Sequence, residues 1–264
     1  MNMHDFISVR CENGHTIYAD PRDERGIALV RSGGTFNPQS LAMWRLLLEE
    51  QTWTHVIDVG ANYGEMLAGV KLPRSAMVIA LEPNPFVIPY LKRTIQQSGL
   101  AVELMTTAAS SRSGTARLTI DRDWSGLSSL EGTEKDSVGH VIEVVEVPTT
   151  TLATLVRNHS TDMHLVRLLL KIDVERHEVP VLQGLADVLD ELNEFAALVE
   201  IVHLGSADIE WLLARFQFEL LDSENGKLTK VDVATVDELQ SVLSSTKYYR
   251  PDVVLRRRVV RLQS

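Results

Sequence analysis

The spacing of hydrophobic and polar residues changes repeatedly along the chain, between patterns typical of buried strands and patterns typical of amphipathic helices. The apolar runs that predict parallel strands are THVIDV, AMVIALE, VELMTTAAS, RLLLKIDV and FAALVEIVH. Helical patterns follow several of these runs, in PFVIPYLKRTIQQSG, EVPVLQGLADVLDEL and SADIEWLLARF. Strands that alternate with helices indicate an α/β protein with a mainly parallel sheet and helices on both faces.

Further strands are predicted outside this alternation. GTARLTI and HVIEVVEVP alternate with period two and predict an added hairpin. FELLD and DVVLRRRVVRL predict the final strands, and the basic stretch RRRVVR fits a terminal edge strand. A short helix is expected in TTLATLVRNH with Thr149 or Thr150 as its cap. The segment 223–250 predicts a turn and one more helix, VDELQSVLSS.

The first 50 residues precede the alternation and predict an N-terminal extension. FISVRCENGHTIYAD alternates like a short hairpin, with Asn13 and Gly14 at its turn. PQSLAMWRLLLEE predicts an amphipathic helix with Pro38 near its start. We therefore divide the chain into an extension at residues 1–50 and a main domain at residues 51–264.

Composition and charge narrow the classes of function. The 264 residues carry a formal net charge of −10 at pH 7, which argues against nucleic acid as the main partner because binding to it needs a basic surface. Cys11 is the single cysteine, so an intramolecular disulfide and a cysteine-based zinc site are excluded. No apolar run approaches the roughly 18 residues of a membrane span, and the N-terminus has no secretion signal. We expect a cytoplasmic protein.

The segment VIDVGANYGEM predicts a strand, a tight turn containing Gly60 and Gly64, and the start of a helix. A P-loop needs a lysine and a hydroxyl residue after its last glycine, where this chain has Glu65 and Met66. A dinucleotide fingerprint needs a second glycine two residues after the first, where this chain has Asn62. The turn therefore favours S-adenosylmethionine (SAM), which has no phosphate and whose carboxylate suits a helix N-terminus.

A carboxylate stands at the end of the next predicted strand, where Glu82 lies in ALEPNP. A carboxylate there can accept hydrogen bonds from both hydroxyls of a ribose. NAD-binding proteins use the same contact, so Glu82 indicates a nucleoside without separating SAM from NAD. The glycine pattern of the preceding turn makes that separation.

Five motifs occur in the order found in the FkbM-type methyltransferases, which this chain resembles from about residue 55 to residue 203. They are VIDVGANYGE, LEPNP, GLSSL, TTLATL and LLKIDVERHEVPVLQG, and KIDVE-x-HE is the most specific element. The resemblance implies a SAM-dependent O-methyltransferase with a Rossmann-like, mainly parallel seven-stranded sheet. Members of this family methylate hydroxyls of sugars, polyketides and other secondary metabolites. Arg176 departs from the family pattern, which has glycine there, so the acceptor is not carried over.

The resemblance also implies which residues contact the cofactor. They are Asp58, Gly60, Asn62 and Gly64 at the methionine part of SAM, Glu82 at the ribose, Pro83 and Asn84 beside the nucleoside, and Ala108 and Ala109 near adenine. Ser128 and Ser129 of GLSSL either close over the cofactor or face the acceptor.

Methyl transfer to a hydroxyl needs a group that helps to remove the hydroxyl proton, and the later strand ends offer candidates. We expect Asp173 at the reacting centre, with His203 or His177 as the general base. In the alternative mechanism Asp173 and Glu200 hold Mg²⁺, which lowers the pKa of the acceptor hydroxyl. His177 has a second interpretation, in which it only caps the following helix.

Other assignments stay open at this stage. Lys171, in a buried strand, is expected to pair with an acid, either Asp58 or Glu200. A non-catalytic SAM-binding protein and an NAD-dependent oxidoreductase are the alternative functions. The expected partner is a small-molecule acceptor with a hydroxyl, and an edge strand at either end would allow a homodimer.

Overall fold

The structure, a computed structural model, describes residues 6–132, 139–249 and 251–258. The strands within these residues are β1 Ile7–Arg10, β2 Thr16–Ala19, β3 His55–Val59, β4 Met77–Leu81, β5 Glu103–Met105, β6 Ala108–Ala109, β7 Gly114–Asp121, β8 Ile142–Thr150, β9 Arg167–Ile172, β10 Glu194–Glu200, β11 Phe216–Leu221, β12 Leu228–Val231 and β13 Asp252–Arg257. The α-helices are α1 Glu24–Arg31, α2 Pro38–Glu50, α3 Glu65–Ala68, α4 Ile88–Gln97, α5 Leu152–His159, α6 Glu178–Gln183, α7 Ala186–Leu189, α8 Ser206–Arg215 and α9 Val236–Ser244.

The main sheet has the strand order β12-β11-β13-β10-β9-β3-β4-β5. The strands from β10 to β5 in this order are parallel neighbours, whereas β13, β11 and β12 are antiparallel. The predicted Rossmann-like α/β fold is confirmed, but the described part of the sheet has eight strands and not seven. The additional strand is β12, in a segment where the sequence predicted a turn and a helix. It has only four residues, too few for a period-two pattern to be distinguished from a loop.

Helices cover both faces of the main sheet. On one face, Leu41 and Trp44 of α2 share a buried cluster with Leu169 and Leu198 of the sheet. On the other face, α5, α6 and α8 pack against the opposite side chains of the same strands. The alternation of side chains along each strand produces the two separate clusters. None of the helices in the described part of the chain is long and apolar enough to cross a membrane.

The run predicted as the third strand is divided between two sheets. Its first part, β5, ends the main sheet, and its second part, β6, belongs to a separate sheet with the order β6-β8-β7. Thr107 lies between them and donates a hydrogen bond from Oγ1 to the carbonyl oxygen of Pro148, at 2.8 Å. The pairing with β8 therefore draws the chain away from the main sheet. The predicted hairpin of β7 and β8 is confirmed.

The basic final strand lies inside the sheet, so the predicted edge position is wrong. β13 is inserted between β10 and β11, and its apolar residues 253–255 are completely buried. Arg256 pairs with Glu50 at 2.5 Å and with Glu219 at 3.1 Å. Alternation does not separate an edge strand from an inner antiparallel strand. Residues 259–261 of the basic stretch lie outside the described residues.

Two helix predictions also need correction. The cap of α5 is Thr151, whose hydroxyl oxygen accepts from the Thr154 N–H, because Thr149 and Thr150 belong to β8. The helix predicted for EVPVLQGLADVLDEL is divided into α6 and α7 near Gly184. A Cβ at Gly184 would lie 2.2 Å from the carbonyl oxygen of Ser110, so close packing against the segment after β6 accompanies the break.

The N-terminal segment contains the predicted hairpin and the predicted helix, α2. It also contains α1, which the sequence analysis missed; Asp23 caps it by accepting from the Arg25 N–H. The hairpin rests on α4, where the Thr94 hydroxyl accepts from the Tyr18 N–H at 3.0 Å. The boundary at residue 50 stays a prediction, and α2 shares its core with the sheet.

Candidate active site

A cleft opens at the carboxyl ends of the parallel strands, the position at which open α/β sheets bind ligands. We call it the site cleft; its lining includes Gly60, Ala61, Asn62, Glu82, Pro83, Asn84, Ala108, Ala109, Ser129, Lys171, Asp173, Glu175, His177, Glu200 and Asp252. Most of the residues predicted at the cofactor and at the reacting centre are therefore brought together. Asp58, Gly64 and His203 do not line the cleft.

The turn after β3 brings the backbone of Gly60 against the end of β9. Gly60 has φ 79°, and a Cβ there would lie 2.1 Å from the carbonyl oxygen of Asp173. Glycine alone combines this φ with such a close approach. Asn62 has φ 46°, a left-handed conformation that asparagine adopts more readily than most residues. The turn thus exposes its backbone to the cleft.

Gly64, which was predicted at the methionine part of SAM, does not line the cleft. It has φ 87° at the start of α3, and a Cβ there would lie 2.9 Å from Leu91 Cδ1 in α4. Its position supports packing between α3 and α4. Gly60, Ala61 and Asn62 in the first part of the turn line the cleft.

Glu82 holds together the loops that follow β3 and β4. Its Oε2 accepts from the Asn62 N–H at 2.8 Å, and its Oε1 accepts from the Asn84 N–H at 2.8 Å. Burial raises the pKa of Glu82 to about 7, although both backbone hydrogen bonds favour the charged form. A carboxylate has roughly four lone-pair positions, so each oxygen retains acceptor capacity for a ligand in the cleft.

An ion-pair layer lies around Lys171, directly below the turn. Lys171 Nζ donates to the carbonyl oxygen of Gly60 at 3.1 Å. It also lies 3.3 Å from Asp173 Oδ2 and 3.7 Å from Asp58 Oδ1. Burial would lower the pKa of Lys171, but the two carboxylates outweigh it and the pKa is raised. The predicted pairing with Asp58 is confirmed; the second partner is Asp173 and not Glu200.

Asp58 belongs to this layer. Its side chain is completely buried, and neither carboxylate oxygen has a hydrogen-bond partner among the described residues. Burial raises the pKa of Asp58, and Lys171 opposes that shift. Asp58 was expected beside the methionine part of SAM, but its position supports an electrostatic role through Lys171.

The side of the cleft beyond β4 is apolar. Ala108 and Ala109 are buried residues of β6, and Leu118 and Leu130 lie beside them in the cleft lining. Apolar side chains of this kind suit a flat ring with little exposed polar surface. The expected adenine position is compatible with this lining.

A loop from Trp124 to Glu131 extends across the cleft and is tied to three strand ends. Its hydrogen bonds join Ser125 Oγ to Asn62 Nδ2 at 3.1 Å, Ser128 Oγ to Asn84 Nδ2 at 3.4 Å, and Ser129 Oγ to the carbonyl oxygen of Glu175 at 2.5 Å. These contacts favour the interpretation in which Ser128 and Ser129 cover the cofactor side. Residues 133–138, which follow in the sequence, lie outside the described residues.

His177 is fixed by contacts on both sides of its ring. Nδ1 lies 2.5 Å from Glu131 Oε1, and Nε2 lies 3.0 Å from Ser110 Oγ. A general base needs a ring nitrogen directed at the acceptor, and both nitrogens already have partners. The side chain also makes no capping hydrogen bond to α6. The geometry favours a positioning role, in which His177 fastens the covering loop.

Carboxylic acids gather at the ends of β9, β10 and β13. Asp173 is 41% exposed, whereas Asp252 is buried and accepts a hydrogen bond from Ser40 Oγ. Burial, together with Asp173 and other nearby acids, raises the pKa of Glu200 to about 10. Burial likewise raises the pKa of Asp252 to about 6. This end of the cleft contains more acids than bases.

A group that could ligate a metal ion differs from the predicted Mg²⁺ pair. Ligand atoms of Glu175, Glu200 and His203 all lie within 4.8 Å of one another. Asp173 is not a member of this group, and its Oδ2 faces Lys171. His203 is 38% exposed and its Nε2 lies 3.7 Å from Glu175 Oε2. The structure therefore brings His203 close to Glu175 and Glu200, whereas Asp173 and Glu200 as a metal-binding pair stay a prediction.

Arg176 has a backbone conformation that explains the glycine of the family pattern. Glu175 has φ 52° and Arg176 has φ 70°. Successive non-glycine residues in the left-handed region carry conformational strain. A glycine at position 176 would remove part of it, so the chain retains arginine there at a cost in stability.

The N-terminal segment contributes residues to the cleft that no sequence motif had indicated. Arg25 Nη2 lies 3.0 Å from Glu65 Oε2, and its guanidinium lies 4.4 Å from the centre of the Phe36 ring. Phe36 in turn makes an edge contact with Trp124, at 6.0 Å between ring centres. The sequence analysis also missed Asp252. It is the first residue of β13, and because β13 runs antiparallel to β10, it lies opposite Glu200, the last residue of β10.

This chain is similar to known methyltransferases. The family model of the Methyltransferase FkbM domain matches residues 58–220. No curated protein matches the sequence. Among solved structures, the chain resembles precorrin-6y C5,15-methyltransferase from Geobacter metallireducens GS-15, with 11% identity, a TM-score of 0.41, and coverage of 83% of this chain and 88% of that chain.

A second solved structure with this likeness is the O-methyltransferase from Bacillus cereus in complex with SAH. The identity is 10% and the TM-score 0.38, over 84% of this chain and 82% of that chain. Similarity at this level identifies no substrate. The family match covers more than half of the chain, and it shows that this protein belongs to the FkbM-domain methyltransferases.

Proposed function

We propose that the protein transfers a methyl group from SAM to a hydroxyl oxygen of a small molecule, in the class of sugars and secondary metabolites. The proposal is carried by the match to the FkbM methyltransferase domain over residues 58–220, together with the geometry of Glu82. Backbone N–H groups on two loops fix its carboxylate at the edge of the cleft, and the remaining lone pairs can accept both hydroxyls of a ribose. We place the reaction in the cytoplasm, because the chain has a single cysteine.

The residues of the cleft fit SAM in three places. Glu82 would hold the ribose, and the apolar lining at Ala108 and Ala109 would hold adenine. The turn at Gly60 and Asn62, which lines the cleft, would face the methionine part. The dinucleotide alternative is less well supported, since Asn62 occupies the place of the second glycine in a left-handed turn.

When bound, SAM would supply an electrophilic methyl group on a sulfonium. The acceptor oxygen would form the new bond to the methyl carbon, and the electrons of the broken carbon–sulfur bond would remain on sulfur. The chain's own contribution is to hold this line of atoms and to receive the hydroxyl proton.

Asp173 is the best placed proton acceptor. It lines the cleft, is partly exposed, and its Oδ2 lies 3.3 Å from Lys171 Nζ. His203 lies outside the cleft lining and His177 has both nitrogens engaged. A divalent metal held by Glu175, Glu200 and His203 is the second mechanism that the geometry allows.

The cofactor is tested by calorimetric titration with S-adenosylhomocysteine and, in parallel, with NAD. We expect micromolar binding of S-adenosylhomocysteine and none of NAD. Glu82→Gln should weaken binding about 10- to 100-fold, since hydrogen bonds to a charged group contribute about 1.5–3 kcal/mol. Glu210→Gln, at an exposed position on α8, is the matched control.

Other outcomes separate the alternatives. Binding of NAD alone would support the oxidoreductase. Binding of S-adenosylhomocysteine without methyl transfer to any hydroxylated acceptor would support a non-catalytic SAM-binding protein. If Glu82→Gln binds as tightly as the wild type, the cofactor is held elsewhere.

A further inference from the structure

The order of strands gives the distance between the two ends of the site cleft. Adjacent strands lie about 4.8 Å apart, and β10 is the third strand from β4 while β13 is the fourth. Glu200 is therefore roughly 14 Å and Asp252 roughly 19 Å from β4, the strand that directly precedes Glu82. Asp173 directly follows β9, which lies between β4 and β10 in the sheet. It therefore lies between Glu82 at one end of the cleft and Glu200 and Asp252 at the other. Glu200 and Asp252 are thus on the acceptor side of the reacting centre.

Glu200 and Asp252, which we call the acidic end, lie opposite each other on two adjacent strands. They are directly opposite residues of the antiparallel pair β10 and β13, and both line the cleft. Leu198 and Val254, two residues away along each strand, point toward the face covered by α2. The two carboxyl groups therefore extend from the same face of the sheet.

The cations that line the cleft in the described residues are all engaged elsewhere. Arg25 is paired with Glu65 at 3.0 Å, and His177 with Glu131 at 2.5 Å. Lys171 lies within 3.7 Å of Asp58 and Asp173 and donates to a backbone carbonyl. No ion pair within residues 6–132, 139–249 and 251–258 involves Glu200, and Asp252 is held only by the Ser40 hydroxyl.

Asp58 gives a separate indication that positive charge is missing from this layer. It is completely buried, and neither of its oxygens has a hydrogen-bond partner among the described residues. Lys171, its neighbour on β9, is the nearest cation at 3.7 Å and is shared with Asp173. One amine therefore serves two carboxylates and a backbone carbonyl, and among the described residues it forms no ion pair with Glu200 or Asp252.

We propose that the acidic end binds a protonated amine of the acceptor, so that the substrate class is a hydroxylated amine such as an amino sugar. This inference rests on the proposed methyl transfer. The ammonium group donates hydrogen bonds to Glu200 and Asp252, and its charge compensates theirs. The hydroxyl of the same molecule then extends back toward Asp173, where the methyl group is transferred.

The test compares acceptors that differ only in the amine. Formation of S-adenosylhomocysteine is measured with D-glucosamine and D-galactosamine, with the corresponding neutral hexoses, and with the N-acetylated forms. Binding of each sugar is also measured by calorimetry in the presence of S-adenosylhomocysteine. We expect kcat/KM for the aminated sugars to exceed that of their neutral and acetylated counterparts by tenfold or more.

Two variants connect the selectivity to the named residues. Glu200→Gln keeps the shape and removes the charge, and we expect it to raise KM for the aminated sugars at least tenfold, with an unchanged affinity for S-adenosylhomocysteine. Asp252→Asn should act in the same direction. Glu210→Gln on α8 is the control, with no expected change.

The alternatives have distinct results. Equal use of neutral and aminated sugars, or selectivity that Glu200→Gln leaves intact, overturns the inference. Methylation of a neutral sugar that requires Mn²⁺ or Mg²⁺ and is lost with EDTA assigns Glu200 to a metal instead. Failure of every aminated sugar to bind or react in a preparation that binds S-adenosylhomocysteine overturns the inference alone. If the wild-type protein does not bind S-adenosylhomocysteine, the proposed function is overturned.

Discussion

The two ends of the site cleft differ in how the protein surrounds their carboxyl groups. Glu82 is satisfied by two backbone N–H groups before any ligand arrives. Glu200 and Asp252 lie where acids outnumber bases, and burial raises the pKa of both. One end is organised by its own backbone, whereas at the other end burial and neighbouring acids disfavour the charged form of the carboxyl groups. Under the proposed function, the cofactor end is preformed, and the acceptor end would favour a cation that stabilises its ionised carboxylates.

The largest expected effect is on the turnover rate, for a substitution of Asp173 between the two ends of the cleft. Asp173→Asn keeps the size of the side chain but cannot take up the hydroxyl proton, so the turnover rate should fall by about 10²- to 10⁴-fold. The affinity for S-adenosylhomocysteine, measured by calorimetry, should stay within a few-fold of the wild type. A variant with the full rate would move the proton acceptor to His203 or to a metal site.

Next in size is the effect of Gly60→Ala on stability. The added Cβ would lie 2.1 Å from the Asp173 carbonyl oxygen at a φ of 79°, and we expect a loss of about 3 kcal/mol or more. Gly99→Ala is the matched control, because Gly99 has φ 60° with no atom within 4 Å; it should cost about 1–2 kcal/mol. Urea unfolding followed by circular dichroism measures both. Equal losses would show that the close approach to β9 can relax.

The pH dependence of stability compares the two ends directly. Folding raises the pKa of Glu82 to about 7 and that of Glu200 to about 10, both above the value of about 4.3 in an unfolded chain. The folded protein then binds more protons than the unfolded one, so stability without ligand should fall as the pH rises above about 4. Between pH 6 and pH 8, Glu200→Gln should reduce this slope more than Glu82→Gln does. Melting temperatures at the two pH values measure it, and a stability that rises over this range would contradict the charge imbalance.

The smallest expected effect is that of Ser40→Ala. It removes the hydroxyl that donates to the buried Asp252, which should cost about 1–2 kcal/mol and a few degrees in melting temperature. The affinity for S-adenosylhomocysteine should not change, because Ser40 contacts the acidic end and not the nucleoside end. A clear loss of cofactor affinity would show that the two ends are coupled.

The cofactor end could be predicted from the sequence because its residues follow one another closely along the chain. The turn at Gly60 and the carboxylate at Glu82 belong to consecutive strand ends, and each has a local pattern with a physical cause. Asp58 and Gly64 belong to the same local patterns but do not line the cleft. Adjacent residues in a strand or turn face different directions, and the sequence does not state which of them faces the cleft.

The acceptor end could not be predicted because chain-distant segments form it. Ser40 and Asp252 are separated by most of the chain and meet through α2 and β13. No local pattern indicates that β13 enters the sheet beside β10. The strand count was wrong for a related reason, since β12 is defined by its pairing with β11 and has no clear pattern of its own.

The insertion of β13 between β10 and β11 also has a consequence for how the molecule is assembled during synthesis. The ribosome produces β10 and β11 before β13, so a nascent chain that already contains both still has an open gap in its sheet. The strand ends at Gly60 and Glu82 are encoded well before β13. Asp252 reaches its place only when β13 fills the gap, so the acidic end is completed by the last described strand of the chain.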